Sequence, residues 1–404
     1  MKNCMKINVL LAALLFCGFA TANAQEPEPI PGQYIVVLKE TAAKPIIKNT
    51  ATPDRDNKES ENKAAREQNL SVVQGVYTKK GIKESAIVNQ FADVLVGFTA
   101  QLSDSEKTAL SKDPAVKGVY QDYIVSLGNP QVESIPGDIN AQSQSTTCAV
   151  TKAGGPIDGS GKATWIWILD TGIDLDHPDL NVQTSATFAK SFISGQSVDD
   201  GNGHGTHCAG IAAAKNNAFG VVGVSAGAKV VPVKVLSNAG SGAWSGLIAG
   251  LNHVAQYDIP GDVVSMSLGG YGYNNCENSN PTLRDAIRNL GLAGTYVVMA
   301  AGNDAADASR NLPGCINGTK VYTIGSITCQ NTCSSFSNWK KPPVDFAAVG
   351  SSVYSTYKNG GYATLSGTSM ATPVVAGVIH ARNGAPLSAG NVTCAGATYP
   401  IAKR

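Results

Sequence analysis

The chain is 404 residues long, 43% apolar and only 15% charged, which is enough apolar sequence for one large core or two smaller ones and excludes a disordered chain. Its 31 Lys and Arg nearly cancel its 30 Asp and Glu, and no long run of either sign occurs, so the basic footprint of a nucleic-acid binder is missing. The 43 glycines and few aromatics fit a compact fold with many tight turns.

The first predicted element is a leader. MKNCMK carries two lysines, INVLLAALLFCGFA is an apolar run shorter than the roughly 18 residues of a spanning helix, and TANAQ ends it with small residues at an A-x-A site. The reading is a secretory signal over residues 1–24, cut at Ala24/Gln25, which implies a secreted chain with no membrane segment after cleavage. The bulky Phe16 before Cys17 argues against a lipoprotein signal. Of nine cysteines, seven then remain: Cys148, Cys208, Cys276, Cys315, Cys329, Cys333 and Cys394. Six can form three disulfides in an oxidising compartment, and one stays a thiol.

Charge density falls by half along the chain: residues 25–127 hold 27 charged side chains in 103 positions, and residues 128–404 hold 32 in 277. The first segment offers strand-like QYIVVL and VLVGFTAQL, a helical SDSEKTALSKD and a final strand in VKGVYQDYIVSL, with a polar loop near residues 49–69. It reads as a small α+β domain, followed by a Gly/Pro/Ser/Gln-rich linker or exposed start in GNPQVESIPGDINAQSQSTT. The second segment alternates β-rich runs (ATWIWILD, KVVPVKVL, DVVSMSLGG, TYVVMAAGN, KVYTIGSI) with helices in HGTHCAGIAAA, SGLIAGLNHVAQY, TLRDAIRNLGLAG and SGTSMATPVVAGVIHARN. That alternation predicts an α/β fold, a doubly wound, mostly parallel sheet with helices on both faces. Function in such sheets gathers at the carboxyl ends of strands, here Asp170, Ser267–Gly270 and Asn303.

Taken singly, Asp170 after an apolar strand is a turn or cap residue, and Ser369 in SGTSMATP is a helix cap. Taken together with His207, in the first turns of an Ala/Gly-rich helix, they supply the nucleophile, base and orienting carboxylate of acyl transfer. Asn303, ending AAGN, supplies an amide suited to an oxyanion.

DTGID, HGTHCAG and SGTSMATP, in the order Asp, His, Ser and with MSLGG and AAGN between them, resemble the motifs of the subtilisin-like serine proteases over roughly residues 130–383. Residues 34–127 resemble the inhibitor I9-type propeptide of that family, a ferredoxin-like α+β domain. The resemblance implies a signal peptide at 1–24, a propeptide at 25–127 and a catalytic domain at 128–404. It implies Asp170 as orienter, His207 as general base and then acid, Ser369 as nucleophile, and Asn303 with the Ser369 backbone N–H as oxyanion hole. It also implies that Gly240, Ser241 and Gly242, and Ser267, Leu268, Gly269 and Gly270, pair with an extended substrate, with side-chain selectivity beside Ala300, Ala301, Gly302 and Gly269. The expected protein is a secreted, monomeric endopeptidase acting on proteins and peptides, made as a zymogen that cuts itself between Ile124 and Gln131. Its own propeptide acts as folding template and inhibitor. No cofactor is expected for catalysis. One branch of the family binds Ca²⁺ where Asp179 and Asn217 fall, the alternative being ordinary polar loop residues.

Val374 stands where family members often have His, and the short tail after the last helix predicts irregular structure pinned by Cys394. The expected disulfides are Cys329–Cys333, Cys276–Cys315 and Cys148–Cys394, leaving Cys208 as the thiol. By resemblance to the proteinase K branch, that thiol lies beneath the catalytic imidazole, where Hg²⁺ bound to it displaces His207; His204, one turn earlier, is read as structural. Three other classes compete. A zinc hydrolase would use His204, His207 and Cys208, but no acid lies between the histidines as in HExxH. A Cys–His peptidase would need Cys208 and His207 to face one substrate group, although helix neighbours point about 100° apart. The third is a catalytically silent binding protein on a protease fold.

Overall fold

The computed structural model describes residues 27–47, 55–127, 131–134 and 143–404; the expected signal segment lies outside the described residues. Four antiparallel strands open the fold, ordered Val116–Ser126, Pro29–Leu38, Gly97–Gln101, Ile87–Phe91. Period-two alternation gives this sheet two apolar faces. Tyr34, Val36 and Leu38 join Val73, Tyr77, Phe98 and Leu110 in the domain's own core. Ile35 and Val37, one residue out of step, belong instead to a core with Phe91, Leu95, Trp244 and Leu247 that spans both domains. The sheet is therefore clamped between its own helices and the domain that follows.

The helix Asp104–Ser111 begins where S-x-x-E predicts: Glu106 N donates to Ser103 Oγ at 3.3 Å, and Glu106 Oε2 accepts from Ser103 N at 2.8 Å. The polar loop expected near 49–69 is, from residue 55 on, the helix Arg55–Lys79. Its first half is polar yet rich in the strong helix formers Lys, Glu, Ala, Arg and Gln, and its apolar anchors Val73, Val76 and Tyr77 come only at the far end.

The second domain is the expected sheet. Parallel strands run in the order Val344–Val349, Val321–Ile327, Tyr296–Ala300, Val263–Met266, Ile166–Asp170, Lys229–Lys234. Its two faces bury alternate residues of the same strands. Ile166, Ile168, Val230 and Val298 pack with the helices His204–Ala213 and Thr368–Arg382, whereas Trp167, Leu169, Val231 and Val297 pack with Trp244–Tyr257 and Pro281–Ala293, on the side that receives the first domain. Among the described residues no helix is long and apolar enough to cross a membrane.

The tail differs from expectation. Leu387–Cys394 and Ala397–Lys403 form a hairpin that adds to the sheet edge beside Val344–Val349, burying Val392, Tyr399 and Ile401. The disulfides differ too. Cys276–Cys315 forms, but the others are Cys148–Cys329 and Cys333–Cys394, and Cys208 is the free, buried thiol. The turn between Cys329 and Cys333 is already closed by backbone bonds, Thr328 N to Thr332 O at 2.8 Å and Asn331 N to Thr328 O at 3.0 Å. Its two cysteines are used to pin the start of the domain and its last hairpin to one point.

Non-reducing peptide mapping is expected to return these three pairs and free Cys208. Cys333→Ser with Cys394→Ser is expected to cost about 2–4 kcal/mol of stability, and a Cys329–Cys333 peptide would overturn the assignment.

Candidate active site

Asp170 closes the strand Ile166–Asp170 and is fully buried. Its carbonyl accepts from Val235 N at 3.0 Å and Leu236 N at 3.1 Å, which fixes the strand end. Its Oδ1 accepts from Thr171 N at 2.7 Å and lies 2.8 Å from Nδ1 of His204, not of His207. The helix His204–Ala213 reaches this strand end because two positions are glycine. Gly203 turns the chain at φ +106°, and a Cβ on Gly205 would meet Gly172 O at 2.1 Å. Asp200 locks the junction. Its Oδ1 accepts from Thr171 Oγ1 at 2.8 Å, Asn202 N at 3.0 Å and Gly203 N at 2.9 Å, and its Oδ2 from Thr206 N at 2.9 Å and Thr206 Oγ1 at 2.7 Å. One carboxylate thus caps the histidine helix and holds the residue after Asp170.

A carboxylate can only accept, so Nδ1 of His204 carries a proton, and in the neutral ring the lone pair is on Nε2. Among the described residues this buried Nε2 has no hydrogen-bond partner. Burial opposes the imidazolium, but the Asp170 carboxylate and the Cys208 sulfur outweigh it and hold the His204 pKa well above the usual 6.5.

His207 is therefore corrected. It lies three residues on, and its Nε2 donates to Val353 O at 3.1 Å and Ala363 O at 3.0 Å across the hairpin Val353–Tyr357/Gly361–Ser366. Ser355 Oγ and Thr356 Oγ1 return bonds to the carbonyls of His207 and Thr206, at 2.9 and 2.7 Å. Burial pushes the His207 pKa down to about 3, leaving a neutral ring committed to packing. The zinc set His204/His207/Cys208 does not form either; the ligand atoms that do cluster, all within 4.8 Å of one another, belong to Asp170, His204 and Cys208. Helix geometry accounts for the thiol: residues i and i+4 share a face, so Cys208 lies beneath His204, its Sγ 4.0 Å from Nδ1.

Ser369 is the second residue of the helix Thr368–Arg382. Proline at 373 has no N–H for the carbonyl four residues back, that of Ser369. Ser267 Oγ at 2.8 Å and Cys208 Sγ at 3.5 Å donate to it instead. The Ser369 hydroxyl donates to Ser267 O at 3.3 Å. Asn303 Oδ1 accepts from Thr368 N and Thr368 Oγ1, both at 2.8 Å, which turns its NH₂ away from the helix start. A methyl on Gly367 would lie 3.4 Å from Asn303 Nδ2 and 3.5 Å from Ser369 N, so these two donors border one space.

The groove beside this cluster is filled by the first domain. Ile124, Val125 and Ser126 pair antiparallel with Ala243, Gly242 and Ser241; Leu127 N donates to Gly240 O at 3.1 Å, and Gly269 N to Ser126 O at 3.0 Å. Gly240–Gly242 and Gly269 are thus strand edges, as expected. Leu268 is in the core and Gly270 pairs with Leu312, so neither joins the groove pairing, and Ser267 meets Ser369 rather than the inserted strand. Ala300 and Ala301 are buried at a strand end, where Ala301 O accepts from Asn338 Nδ2 at 3.0 Å, and Gly302 N donates to Thr368 Oγ1 at 3.2 Å. Beyond the groove, Gln131–Ser134 pairs with Gly361–Ser366, bringing Gln131 opposite Ser366, three residues before Ser369; residues 128–130 lie outside the described residues.

Asp179 and Asn217 meet directly: Asn217 Nδ2 donates to Asp179 Oδ1 at 2.7 Å and Val221 N to Asp179 Oδ2 at 3.0 Å, while burial raises the Asp179 pKa. Sequence reasoning missed Gln144 beside them. Its Nε2 lies 2.8 Å from Lys215 O, 3.1 Å from Asn217 Oδ1, 3.2 Å from Val221 O and 3.5 Å from Phe219 O, so four oxygens surround one point. It also missed Asp200, which stands four residues before the helix start and so outside the position, immediately before a helix, where a capping acid is read.

Residues 161–382 match the Subtilase family (Peptidase_S8), and residues 33–128 match the peptidase inhibitor I9 family. The chain is 38% identical over 291 residues to a cuticle-degrading protease of Metarhizium anisopliae, covering 70% of this chain and 69% of the relative. It is 34% identical over 370 residues to the alkaline serine protease ver112 of Corniculantispora psalliotae, covering 88% and 81%. Thermitase of Thermoactinomyces vulgaris is 40% identical over 240 residues, 59% of this chain and 80% of that protein. The chain belongs to the subtilase family: it is a subtilisin-like serine protease with an inhibitor I9 propeptide domain ahead of its catalytic domain.

Proposed function

We propose that this protease cleaves extended polypeptides through Ser369, His204 and Asp170, and that it is secreted as a zymogen which cuts its own chain between Leu127 and Gln131. The observation that carries the triad is the buried 2.8 Å contact from Asp170 Oδ1 to His204 Nδ1, which leaves Nε2 as an unused base. The Ser369 hydroxyl turns from Ser267 O to Nε2 when substrate binds, gives up its proton there and attacks the carbonyl carbon; apo contacts of this kind are commonly long. Asn303 Nδ2 and Ser369 N–H take the developing oxyanion. The tetrahedral adduct collapses as His204 passes the proton to the leaving amine. Water then attacks the acyl-enzyme with His204 again as base. Substrate backbone pairs as residues 124–127 do, with Gly240–Ala243 on one side and Gly269 on the other. The propeptide inhibits by holding that place, and the leader read at 1–24 supports export.

His204→Ala is expected to lower kcat/KM by about 10⁴-fold or more. His207→Ala should keep it within about tenfold per folded molecule while losing roughly 2–4 kcal/mol of stability. The opposite pattern returns the base to His207. A general base must be neutral, so activity rises as pH rises through the His204 pKa. Because Asp170 raises that pKa, the acid limb should lie above pH 6.5, and Asp170→Asn should move it to lower pH.

Burial pushes the Cys208 thiol up, so it is a poor nucleophile, yet it is a soft ligand beside His204. Hg²⁺ should inactivate the enzyme by displacing His204, and Cys208→Ala should stay active and resist mercury. An inactive Cys208→Ala reopens the cysteine reading.

We also infer a structural Ca²⁺ held by Asp179, Asn217 and the carbonyls of Lys215, Phe219 and Val221, with Gln144 presenting its amide oxygen after a flip. All are hard oxygen donors, and a cation would offset the buried Asp179 carboxylate. A chelator should lower the unfolding midpoint, and Asp179→Asn should abolish that response. An unchanged midpoint removes the ion from the account.

A further inference from the structure

At the other end of the catalytic sheet a second polar site is built around Asp262. This carboxylate is fully buried and is fixed by groups of the catalytic domain alone: Trp165 N and Trp167 Nε1, each at 2.8 Å, and Ile259 N at 3.3 Å. Into it comes Arg55, 7% exposed, from the first turn of the propeptide helix Arg55–Lys79. Its NH1 donates to Asp262 Oδ2 at 2.5 Å and Tyr257 O at 2.9 Å, its NH2 to Asp262 Oδ1 at 2.7 Å and Ala163 O at 3.0 Å. The guanidinium carbon lies 3.7 Å from the Trp165 ring centroid, and Phe188 braces that ring edge-on at 5.0 Å. A planar fork, two carbonyls set for its outer hydrogens and an aromatic floor recognise guanidinium and not ammonium. Three residues along the same helix, Lys58 pairs with buried Asp258.

Trp165 and Asp262 precede the strands Ile166–Asp170 and Val263–Met266, whereas Asp170 ends the first of them. At about 3.3 Å per residue the five-residue strand separates the two sites by roughly 16 Å. The site therefore takes no part in peptide hydrolysis. Every receptor group belongs to the catalytic domain, so removing the propeptide removes the ligand and leaves the receptor.

We propose that Asp262, Trp165 and the carbonyls of Ala163 and Tyr257 form a guanidinium-binding site of the catalytic domain, remote from the triad. It is filled by Arg55 in the full chain and open to arginine side chains of other polypeptides after the propeptide leaves. Only the last clause rests on the zymogen reading. Trp165 N, Trp167 Nε1 and Ile259 N keep the carboxylate fixed when its cation leaves, which favours a replacement cation at the same place. The helical spacing to the Lys58–Asp258 pair favours arginine carried in an Arg-x-x-Lys helical segment.

The test uses the full chain with Ser369→Ala, which cannot cut itself by the proposed mechanism, with and without Arg55→Ala. Ethylguanidinium replaces the atoms that Arg55→Ala removes; ethylammonium at the same ionic strength is the control. Arg55→Ala should lower the unfolding midpoint. Millimolar ethylguanidinium should restore it saturably by about 2 °C or more, ethylammonium should not, and the Arg55 chain should respond to neither. Adding Trp165→Leu to the Arg55→Ala chain should remove most of the rescue. No rescue, equal rescue by both cations, or equal response of the Arg55 chain would overturn the site, and none of these outcomes depends on proteolysis.

Discussion

The contact between Asp170 and His204 is made where the end of a parallel strand meets the start of a helix, and the rest of the catalytic face follows from keeping those two ends together. The strand end brings a carboxylate into a region without solvent, where it is tolerable only if hydrogen-bonded. The helix brings an imidazole within reach only because Gly205 lets its backbone lie against Gly172. Asp200 holds Thr171, the residue after Asp170, and the start of the histidine helix through five hydrogen bonds, and the hairpin pinned by His207 closes over the same helix. The two histidines, three residues apart, thus meet different neighbours, His204 the strand-end carboxylate and His207 the hairpin carbonyls.

The same economy governs the serine. A proline one turn into its helix frees the Ser369 carbonyl, and Ser267 and Cys208 take it up. The thiol therefore ties the serine helix to the histidine helix while remaining buried. Asn303 is bound through its oxygen to the helix start, and its Nδ2 and Ser369 N border one space.

The propeptide domain adheres by physically different means. Its sheet inserts alternate side chains into the core beneath the helices Trp244–Tyr257 and Pro281–Ala293. Its last strand adds backbone bonds to the groove edges. Its first helix supplies cations to two acids buried at the amino ends of the catalytic strands. Asp122 adds a cap, accepting from Ser245 N at 3.2 Å at the start of the helix Trp244–Tyr257. Only the last strand lies in the groove beside Ser369, so the other contacts hold the domain without entering that groove.

The parallel sheet and its flanking helices were legible because buried strands and amphipathic helices leave period and composition in the sequence, and Asp170, Ser369 and Asn303 were legible because they end a strand, begin a helix or follow a strand end closely. The choice between His204 and His207 was not, since both stand in the first two turns of one helix and chain spacing does not say which side of it meets Asp170. Helix arithmetic did hold a clue: Cys208 is four residues from His204, so a thiol beneath an imidazole favours the earlier histidine. The helix Arg55–Lys79 was hidden by its polarity, because its cations find buried acids some 200 residues away in sequence. The disulfide partners and the oxygens around Gln144 were likewise beyond reading, being set by how distant loops come together. Sequence alone determined the architecture and which chemistry it carries, because local pattern encodes elements and their ends. The tertiary structure decided which histidine, which cysteine pairs and which buried charges meet, because those depend on the packing of segments that periodicity cannot orient toward one another.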